Sequence, residues 1–364
     1  GGDLSLPRLR GRVRVGVFQV GVFQVGSFQV GRVQVGRFPG GNGILPVKKT
    51  KVFCMLLPEA QSFYLRQGLA IAERVLGLGD RDPASPTFGC FDRYYWHYKA
   101  LDFPNARAQE IGHYLAVLYA NCFEGNRYAG EPMILKWAEA AVRFWSQIQN
   151  RDGSFNEWWP GERSFCATSF STYAAVETVR ILGLTPPMQA FDRAAEWLCK
   201  NNNPAVGNQV AASALALRAV ADLLGEEFPA RKAEERVRGL LDQQDPAGFF
   251  PEYGGGDVGY QSLTVSLLAA YRTKAPGEAI ASALRKAVEF LDRRLCEDGT
   301  FDYKACSRQT QFFYLSGLVR MREMNLLLRH WNGCRAGTAL LPSWMDDRYC
   351  FQLGTDYLIA GLED

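Results

Sequence analysis

The chain has 364 residues, of which 47% are hydrophobic and 13% aromatic, so it can bury a substantial core in one large domain or two small ones. Its 41 basic and 38 acidic residues leave a net charge of +3, which is too small for the basic field of a nucleic-acid-binding protein. No run of about 18 apolar residues occurs. We therefore expect neither a nucleic-acid partner nor a transmembrane segment.

Nine cysteines are scattered along the chain without a C-x-x-C pair. Their odd number argues against a complete disulfide framework and favours a reducing compartment, so a cytoplasmic location is predicted. Only three histidines are present, which disfavours a zinc site of the usual kind. The run Gly254, Gly255 and Gly256 is not a phosphate loop, because no Lys-Ser/Thr follows it. No cofactor is expected.

Residues 1–47 differ from the rest of the chain. Residues 16–35 are four pentapeptides that each begin with glycine and end in Gln-Val. Glycine at every fifth position disfavours a helix, and no copy carries a complete hydrophobic face. We predict a low-complexity appendage, disordered or weakly prone to β-structure, that precedes a folded domain over residues 48–364.

Apolar residues recur at helical spacing from residue 58 until Gly77 and Gly79, and an aromatic-rich loop follows over residues 83–102. The pattern predicts further helices at about 106–122, 131–149, 167–183, 188–200, 206–224, 230–243, 257–273, 277–296, 308–329 and 351–362.

The predicted helices alternate in character. Those that begin near 167, 206 and 257 are rich in small and apolar residues, as suits helices buried on most sides. Those that begin near 131, 188, 230 and 277 carry a charged stripe, which is typical of helices with one solvated face. Strict alternation of inner and outer helices predicts an all-α fold, an (α/α)6-type toroid that is incomplete or near complete. His330 falls in an outer pattern and is predicted to lie at the surface.

A repeated glycine motif supports this architecture. Gly153, Gly248 and Gly299 lie 95 and 51 residues apart, each in a loop that leads into an apolar helix. A unit of about fifty residues is therefore repeated, with one degenerate copy between the first two, as in helical arrays and closed rings.

Residues 141–155, with Gln149, Gly153 and Phe155, resemble the QW repeat of squalene-type cyclases. Residues 286–301 resemble a second copy with Leu295 in place of the glutamine, and residues 236–250 a looser third. Residues 58–362 thus resemble the α/α toroid superfamily, which includes terpenoid cyclases, protein prenyltransferases, polysaccharide lyases and hydrolases. The resemblance implies the toroid fold.

Two functional motifs of these relatives are missing. The proton-donating DxDD motif of squalene-type cyclases does not occur here, where Asp346 and Asp347 are the only adjacent aspartates. Toroidal uronate lyases use an Asn-His pair at the start of an inner helix, and the similar place here holds Asn208 and Gln209, without an imidazole.

In such a ring, every loop from an outer helix to the next inner helix emerges at the same end. Its carboxylates could serve as general acid and base or merely cap helices, and its tyrosines could transfer protons or stack. Arginines suit a substrate carboxylate, and aromatic faces suit sugar rings. The catalytic candidates are Glu157, Glu252, Tyr253, Asp257 and Tyr260. The substrate-binding candidates are Arg93, Tyr95, His97, Trp158, Trp159, Arg163, Asn208, Gln209, Asp302 and Arg308.

The leading hypothesis is a carbohydrate-active protein, a lyase or hydrolase, that binds a polysaccharide at the inner-helix N-terminal mouth. One alternative is a terpenoid cyclase or prenyltransferase-like protein, and another is a non-catalytic glycan-binding or scaffold protein. A glycan or another small molecule is the expected partner. An open groove would favour a polysaccharide, and a closed apolar cavity an isoprenoid.

Overall fold

The computed structural model describes the backbone of residues 47–363 and the side chains of residues 58–363. The predicted pentapeptide appendage lies outside the described residues. Those residues form fourteen α-helices: α1 (Val47–Leu69), α2 (Ala72–Leu76), α3 (Arg93–Trp96), α4 (Ile111–Ala120), α5 (Pro132–Gln147), α6 (Phe165–Leu182), α7 (Met188–Lys200), α8 (Gly207–Leu224), α9 (Glu227–Asp242), α10 (Val258–Lys274), α11 (Glu278–Arg294), α12 (Ser316–Met321), α13 (Met324–Ala336) and α14 (Cys350–Leu362). None of them is long and apolar enough to cross a bilayer.

Six helices form a closed inner ring. Helices α4, α6, α8, α10, α12 and α14 each contact the next, and α14 contacts α4. Helices α1, α5, α7, α9, α11 and α13 pack outside them. The predicted α/α toroid is confirmed, and among the described residues the ring is complete, with six inner and six outer members.

Composition explains the two layers. In α8, Ala211, Ala212, Ala214 and Ala216 are fully buried, because small side chains allow neighbouring inner helices to approach on both sides. Outer helices are amphipathic instead; α9 buries only one face and exposes most of its charged residues.

The turn glycines join each unit to the following one. Gly89, Gly153, Gly248 and Gly299 all have positive φ, which favours glycine. Each lies against the backbone of the next outer helix, at α5, α7, α11 and α13 respectively. The prediction found three of these glycines and missed Gly89.

Glutamines reinforce two of these joints. The amide of Gln149 donates to the carbonyl oxygens of Gly153 (3.0 Å) and Ala190 (2.9 Å). Gln244 donates in the same way to Gly248 (2.9 Å) and Ala283 (2.8 Å). Each glutamine therefore ties its own loop to the next outer helix.

The joint between α7 and α9 has no glycine and uses Arg236 of α9. Its guanidinium donates to the carbonyl oxygens of Leu198 and Asn201 at the end of α7, and to Ser213 Oγ at 2.6 Å. This joint corresponds to the degenerate copy of the repeat.

The predicted helix over 308–329 is wrong. Residues 307–315 are not helical, α12 is short, and Arg322 has a φ of 60°, which ends it before the separate outer helix α13. Acceptors far away in the sequence keep residues 307–315 non-helical: Arg308 N donates to Asp257 Oδ2 (3.1 Å), and Tyr314 N donates to Ser262 Oγ (2.9 Å). These tertiary bonds replace the intrahelical ones.

The surface position predicted for His330 is also wrong. The imidazole is 1% exposed and stacks on Phe313 at 5.3 Å, with the hydroxyls of Tyr64 and Tyr357 at 3.5 and 3.4 Å. Burial lowers the pKa of His330 to about 3, so the ring is neutral. His330 lies on α13, and its contact with Tyr64 of α1 is part of the joint between the last and the first outer helix of the toroid.

Candidate active site

A cavity of about 520 Å³ opens at the N-terminal ends of the inner helices. All six inner-helix starts contribute to its wall, through Arg107, Ser164, Asn208, Tyr260, Tyr314 and Tyr349. Nine of the fifteen predicted site residues line it: Glu157, Trp158, Arg163, Asn208, Gln209, Glu252, Tyr253, Tyr260 and Arg308.

Glu252 lies in the cavity wall and is 2% exposed. Its backbone forms isolated bridges with Val206 and Gly255, which fix the loop before α10. Asn208 Nδ2 donates to Oε2 at 2.6 Å, and an Arg308 nitrogen donates to Oε1 at 3.1 Å. Burial raises the pKa of Glu252 to about 7, since Asn208 and Arg308 only partly offset the loss of solvation. Both the protonated and the ionised form of Glu252 are therefore populated near neutral pH.

Arg308 is placed by two aromatic rings. Its guanidinium carbon lies 4.7 Å from the ring centre of Tyr253 and 5.0 Å from that of Tyr260. Burial raises the pKa of Tyr260 to about 12, so this phenol is neutral in ordinary buffers and a poor base. Tyr260 therefore serves as a cavity wall beside the ion pair, and the Tyr253 ring lines the same cavity.

Asp257, predicted to be catalytic, does not line the cavity. It caps α10 by accepting from Tyr260 N at 3.0 Å. The same carboxylate accepts from Arg308 N and from the hydroxyl of Thr310. Its oxygens thus hold the 307–315 segment that carries Arg308.

Glu157 enters the cavity from the loop before α6 and is 5% exposed. Arg348, from the loop before α14, donates to its Oε1 at 2.8 Å, and its guanidinium lies 3.4 Å from the ring centre of Trp158. Ser164 Oγ donates weakly to Oε2 at 3.3 Å. The cavity therefore contains two carboxyl groups in different surroundings, each paired with an arginine.

Sequence reasoning missed Arg107 and the aromatic side chains Tyr314 and Tyr349. Arg107 pairs with the buried Glu110 and lies 4.2 Å from the ring centre of Phe170. Its position at the start of a predicted inner helix was a usable signal. Tyr349 follows the Asp346–Asp347 pair, which carries no comparable signal.

A smaller cavity of about 100 Å³ continues along the ring axis from Arg107, Phe170 and Tyr314. His113 lines it, and burial lowers the pKa of this histidine to about 4. Asp356 lines it too, and burial raises its pKa to about 6. The deeper cavity is therefore mixed, because these titratable groups lie beside apolar side chains such as Leu215, Leu267 and Ile359.

Five further predicted residues lie outside the 520 Å³ cavity at the inner-helix N-termini, which is called the main cavity below. Arg93 lines an adjoining groove of about 760 Å³ that shares Glu157, Trp158 and Tyr349 with it. Tyr95 is half-buried, with its ring 6.5 Å from that of Phe144. The other three are exposed: His97, Trp159 and Asp302, of which Asp302 caps a short 3-10 turn.

The described side chains contain no group of three or more His, Cys, Asp or Glu arranged to hold a metal ion. Arg107 lies 3.0 Å from the sulfur of Cys166, yet burial raises the pKa of this thiol to about 12. Cys166 therefore remains protonated and is not an activated nucleophile.

Neither any protein-family model nor any curated protein matches the chain. Among solved structures, one match is the crystal structure of an unsaturated glucuronyl hydrolase specific for heparin. It covers 83% of this chain and 82% of its own, with 11% sequence identity and a TM-score of 0.46. Similarity at this level assigns neither family nor activity.

Proposed function

We propose that the protein is a carbohydrate-active enzyme that binds a glycan in the main cavity and cleaves it by hydrolysis. The observation that carries the proposal is that the buried Glu252, held by Asn208 and Arg308, lines the same cavity as a second carboxyl group, Glu157. Glycoside hydrolysis uses two carboxyl groups whose surroundings give them different protonation states. Glu252 is the candidate proton donor to the leaving oxygen, and Glu157, ion-paired with Arg348, is the candidate carboxylate.

The cavity wall favours a hydroxylated ligand over an isoprenoid. Its charged members are Arg107, Glu157, Glu162, Arg163, Glu252 and Arg308. An isoprenoid would displace water from the donors and acceptors of these groups that have no protein partner, at a cost of about 1–3 kcal/mol for each group left unsatisfied. Trp158 and the tyrosines offer faces on which the C–H surface of a sugar packs.

Hydrolysis is preferred to elimination because a lyase needs a base that removes a carbon-bound proton. Tyr260 is the buried phenol beside the Glu252–Arg308 pair, with its ring centre 5.0 Å from the guanidinium carbon, and its raised pKa leaves it protonated. A non-catalytic glycan-binding protein would use the same walls and is separated from an enzyme by the experiment below.

The test compares the wild type with Glu252→Gln on a panel of neutral and uronate-containing oligosaccharides. Release of reducing ends measures hydrolysis, and ultraviolet absorbance detects the double bond that a lyase would create. We expect Glu252→Gln to lower turnover on the order of 10²–10⁴-fold, the usual contribution of a general acid, without lowering the melting temperature. Asp302→Asn, at an exposed carboxylate outside the cavity, is the control and should retain full turnover.

Normal turnover by Glu252→Gln would refute the assignment of the acid. Glycan binding by the wild type without any turnover would identify a binding protein. Unfolding of Glu252→Gln would show that the carboxyl group is structural.

A further inference from the structure

Arg308 lies between a buried carboxyl group and the open cavity. Its side chain is 35% exposed, whereas that of Glu252 is 3% exposed. The Tyr253 and Tyr260 rings hold the guanidinium independently of Glu252, and Asp257 holds its backbone. Guanidinium has five N–H donors, and Glu252 is its one side-chain hydrogen-bond partner among the described residues. Donors therefore remain for a ligand in the cavity.

The other arginines of the wall are differently engaged. Arg107 is buried and holds the carboxylate of Glu110. Arg163 is mostly exposed and pairs with Asp152, outside the cavity. Arg308 thus combines access to the cavity with fixed placement, and planar bidentate recognition of a carboxylate is the interaction for which guanidinium is suited.

The groups around Glu252 make its charge depend on Arg308. Helix α8 contributes the neutral amide of Asn208, and the start of α10 contributes the negative Asp257 and the phenol of Tyr260. The segment before α12 contributes Arg308, and Tyr253 is the adjoining phenol. Arg308 is the positive charge in this set. A second anion that binds Arg308 therefore reduces the stabilisation of the ionised form of Glu252.

We propose that Arg308 binds the carboxylate of an acidic sugar, and that this binding makes the site take up a proton at Glu252. The inference rests on the proposed function and names its substrate class, a uronic-acid-containing glycan. The ligand carboxylate shares the guanidinium and adds a negative charge close to Glu252, and both effects favour the neutral acid. An acidic substrate thereby supplies the condition for its own cleavage, because the protonated Glu252 is the form that can donate a proton. A neutral sugar leaves the pair intact and lacks this effect.

The experiment is isothermal titration calorimetry at pH 7.5 with D-glucuronate and with methyl glucoside, each in HEPES and in Tris. These buffers release different heats on losing a proton, so the difference between them counts the protons taken up. With a pKa of about 7, Glu252 in the unliganded protein is about one-quarter protonated at pH 7.5. If the shared guanidinium and the added negative charge raise the pKa of Glu252 by about 1–3, glucuronate binding takes up about half a proton or more. Methyl glucoside should bind more weakly and without uptake.

Two variants locate the effect. Glu252→Gln should bind glucuronate with no buffer dependence, and with affinity equal to or above that of the wild type, since Arg308 is then unshared. Arg308→Gln should lower glucuronate affinity at least tenfold while leaving that for methyl glucoside within about twofold, the loss of a charge-assisted hydrogen bond. Arg151→Gln, at an exposed position, is the matched control and should behave as the wild type.

Glucuronate binding by the wild type with equal heats in both buffers would overturn the proton linkage. Equal affinities for the two sugars would overturn the acidic substrate class while the proposed function stands. Absence of binding by either sugar at high millimolar concentration would overturn both. If Arg308→Gln does not fold, the wild type and Glu252→Gln in the two buffers still decide the linkage.

Discussion

Replacing Gly153 by alanine tests whether the turn glycines are the joints of the ring. Gly153 has a φ of 95°, and a methyl group there would lie 2.6 Å from the carbonyl carbon of Arg193 on α7. Alanine therefore suffers both an unfavourable backbone conformation and a collision with the backbone of a packed helix. The nearest atoms belong to the backbone of Arg193, so no side-chain rotation can relieve the contact.

The expected loss follows from these two effects. The left-handed conformation costs alanine about 1–2 kcal/mol. Separating the loop from α7 also strains the two hydrogen bonds of Gln149, which contribute about 1 kcal/mol each. A total of about 3–4 kcal/mol lowers the melting temperature by about 5 °C, because an unfolding entropy of about 2.1 cal/mol/K per residue gives about 1.5 °C per kcal/mol for a domain of this length.

Gly183→Ala is the matched control. Gly183 also has positive φ, at 63°, but an added methyl group would meet nothing within 4 Å. It should cost only the conformational part, about 1–2 kcal/mol or roughly 2 °C. Thermal unfolding followed by far-ultraviolet circular dichroism measures both variants. Equal losses would refute the reasoning, because they would show that contact with α7 contributes nothing.

Burial holds the pKa of Glu252 above its unfolded value, so its protonated form stabilises the fold at low pH and this contribution is lost as the pH rises through about 7. Glu252→Gln, which cannot ionise, should therefore exceed the wild type in unfolding free energy by about 3 kcal/mol at pH 8.5 and by almost nothing at pH 4.5 in urea titrations; an equal difference at both pH values would contradict this. By the same titration, the wild-type kcat/KM for glycan, which reports the free enzyme, should fall tenfold per pH unit above about pH 7, and a kcat/KM that stays flat to pH 9 would exclude Glu252 as the acid. Tyr64→Phe removes the hydroxyl that donates to Leu327 O at 2.9 Å and should cost about 1–2 kcal/mol in unfolding free energy, whereas no loss would show that this joint relies on packing alone. A protein that begins at Val47 should keep the melting temperature of the full chain within about 2 °C by calorimetry; a drop of many degrees would show that residues 1–46 support the ring.

The layers of the fold were predictable because they depend on local composition. Helices α6, α8 and α10 are buried on most sides and are rich in small and apolar residues, whereas their outer neighbours carry charged stripes. The loop positions of Glu157 and Glu252 followed from the same periodicity. Both carboxyl groups line the cavity because the register of the helices brings every outer-to-inner loop to one end.

The remaining features depend on partners far apart in the sequence. The 307–315 segment has a helical pattern, yet acceptors on α10, on its N-cap Asp257 and on α14 bind its backbone N–H groups and keep it non-helical. His330 follows an outer pattern, but Phe313 and two tyrosines enclose it. Local periodicity contains no information about such contacts, which explains both errors. Asp257 is similar, because capping and catalysis call for the same residue type at a helix start.

The direction of the joints has a consequence for assembly during synthesis. Each turn glycine rests on the outer helix of the following unit, so a loop cannot settle until the next hairpin has left the ribosome. The last joint spans most of the chain, since the Tyr64 hydroxyl and its acceptor are 263 residues apart. Glu157 and its partner Arg348 are separated by 191 residues. Contacts of such separation form late, because closing a long loop has a high entropic cost. The cavity therefore has both of its carboxylates paired with arginine only when the ring closes, so a partly synthesised chain contains no working site.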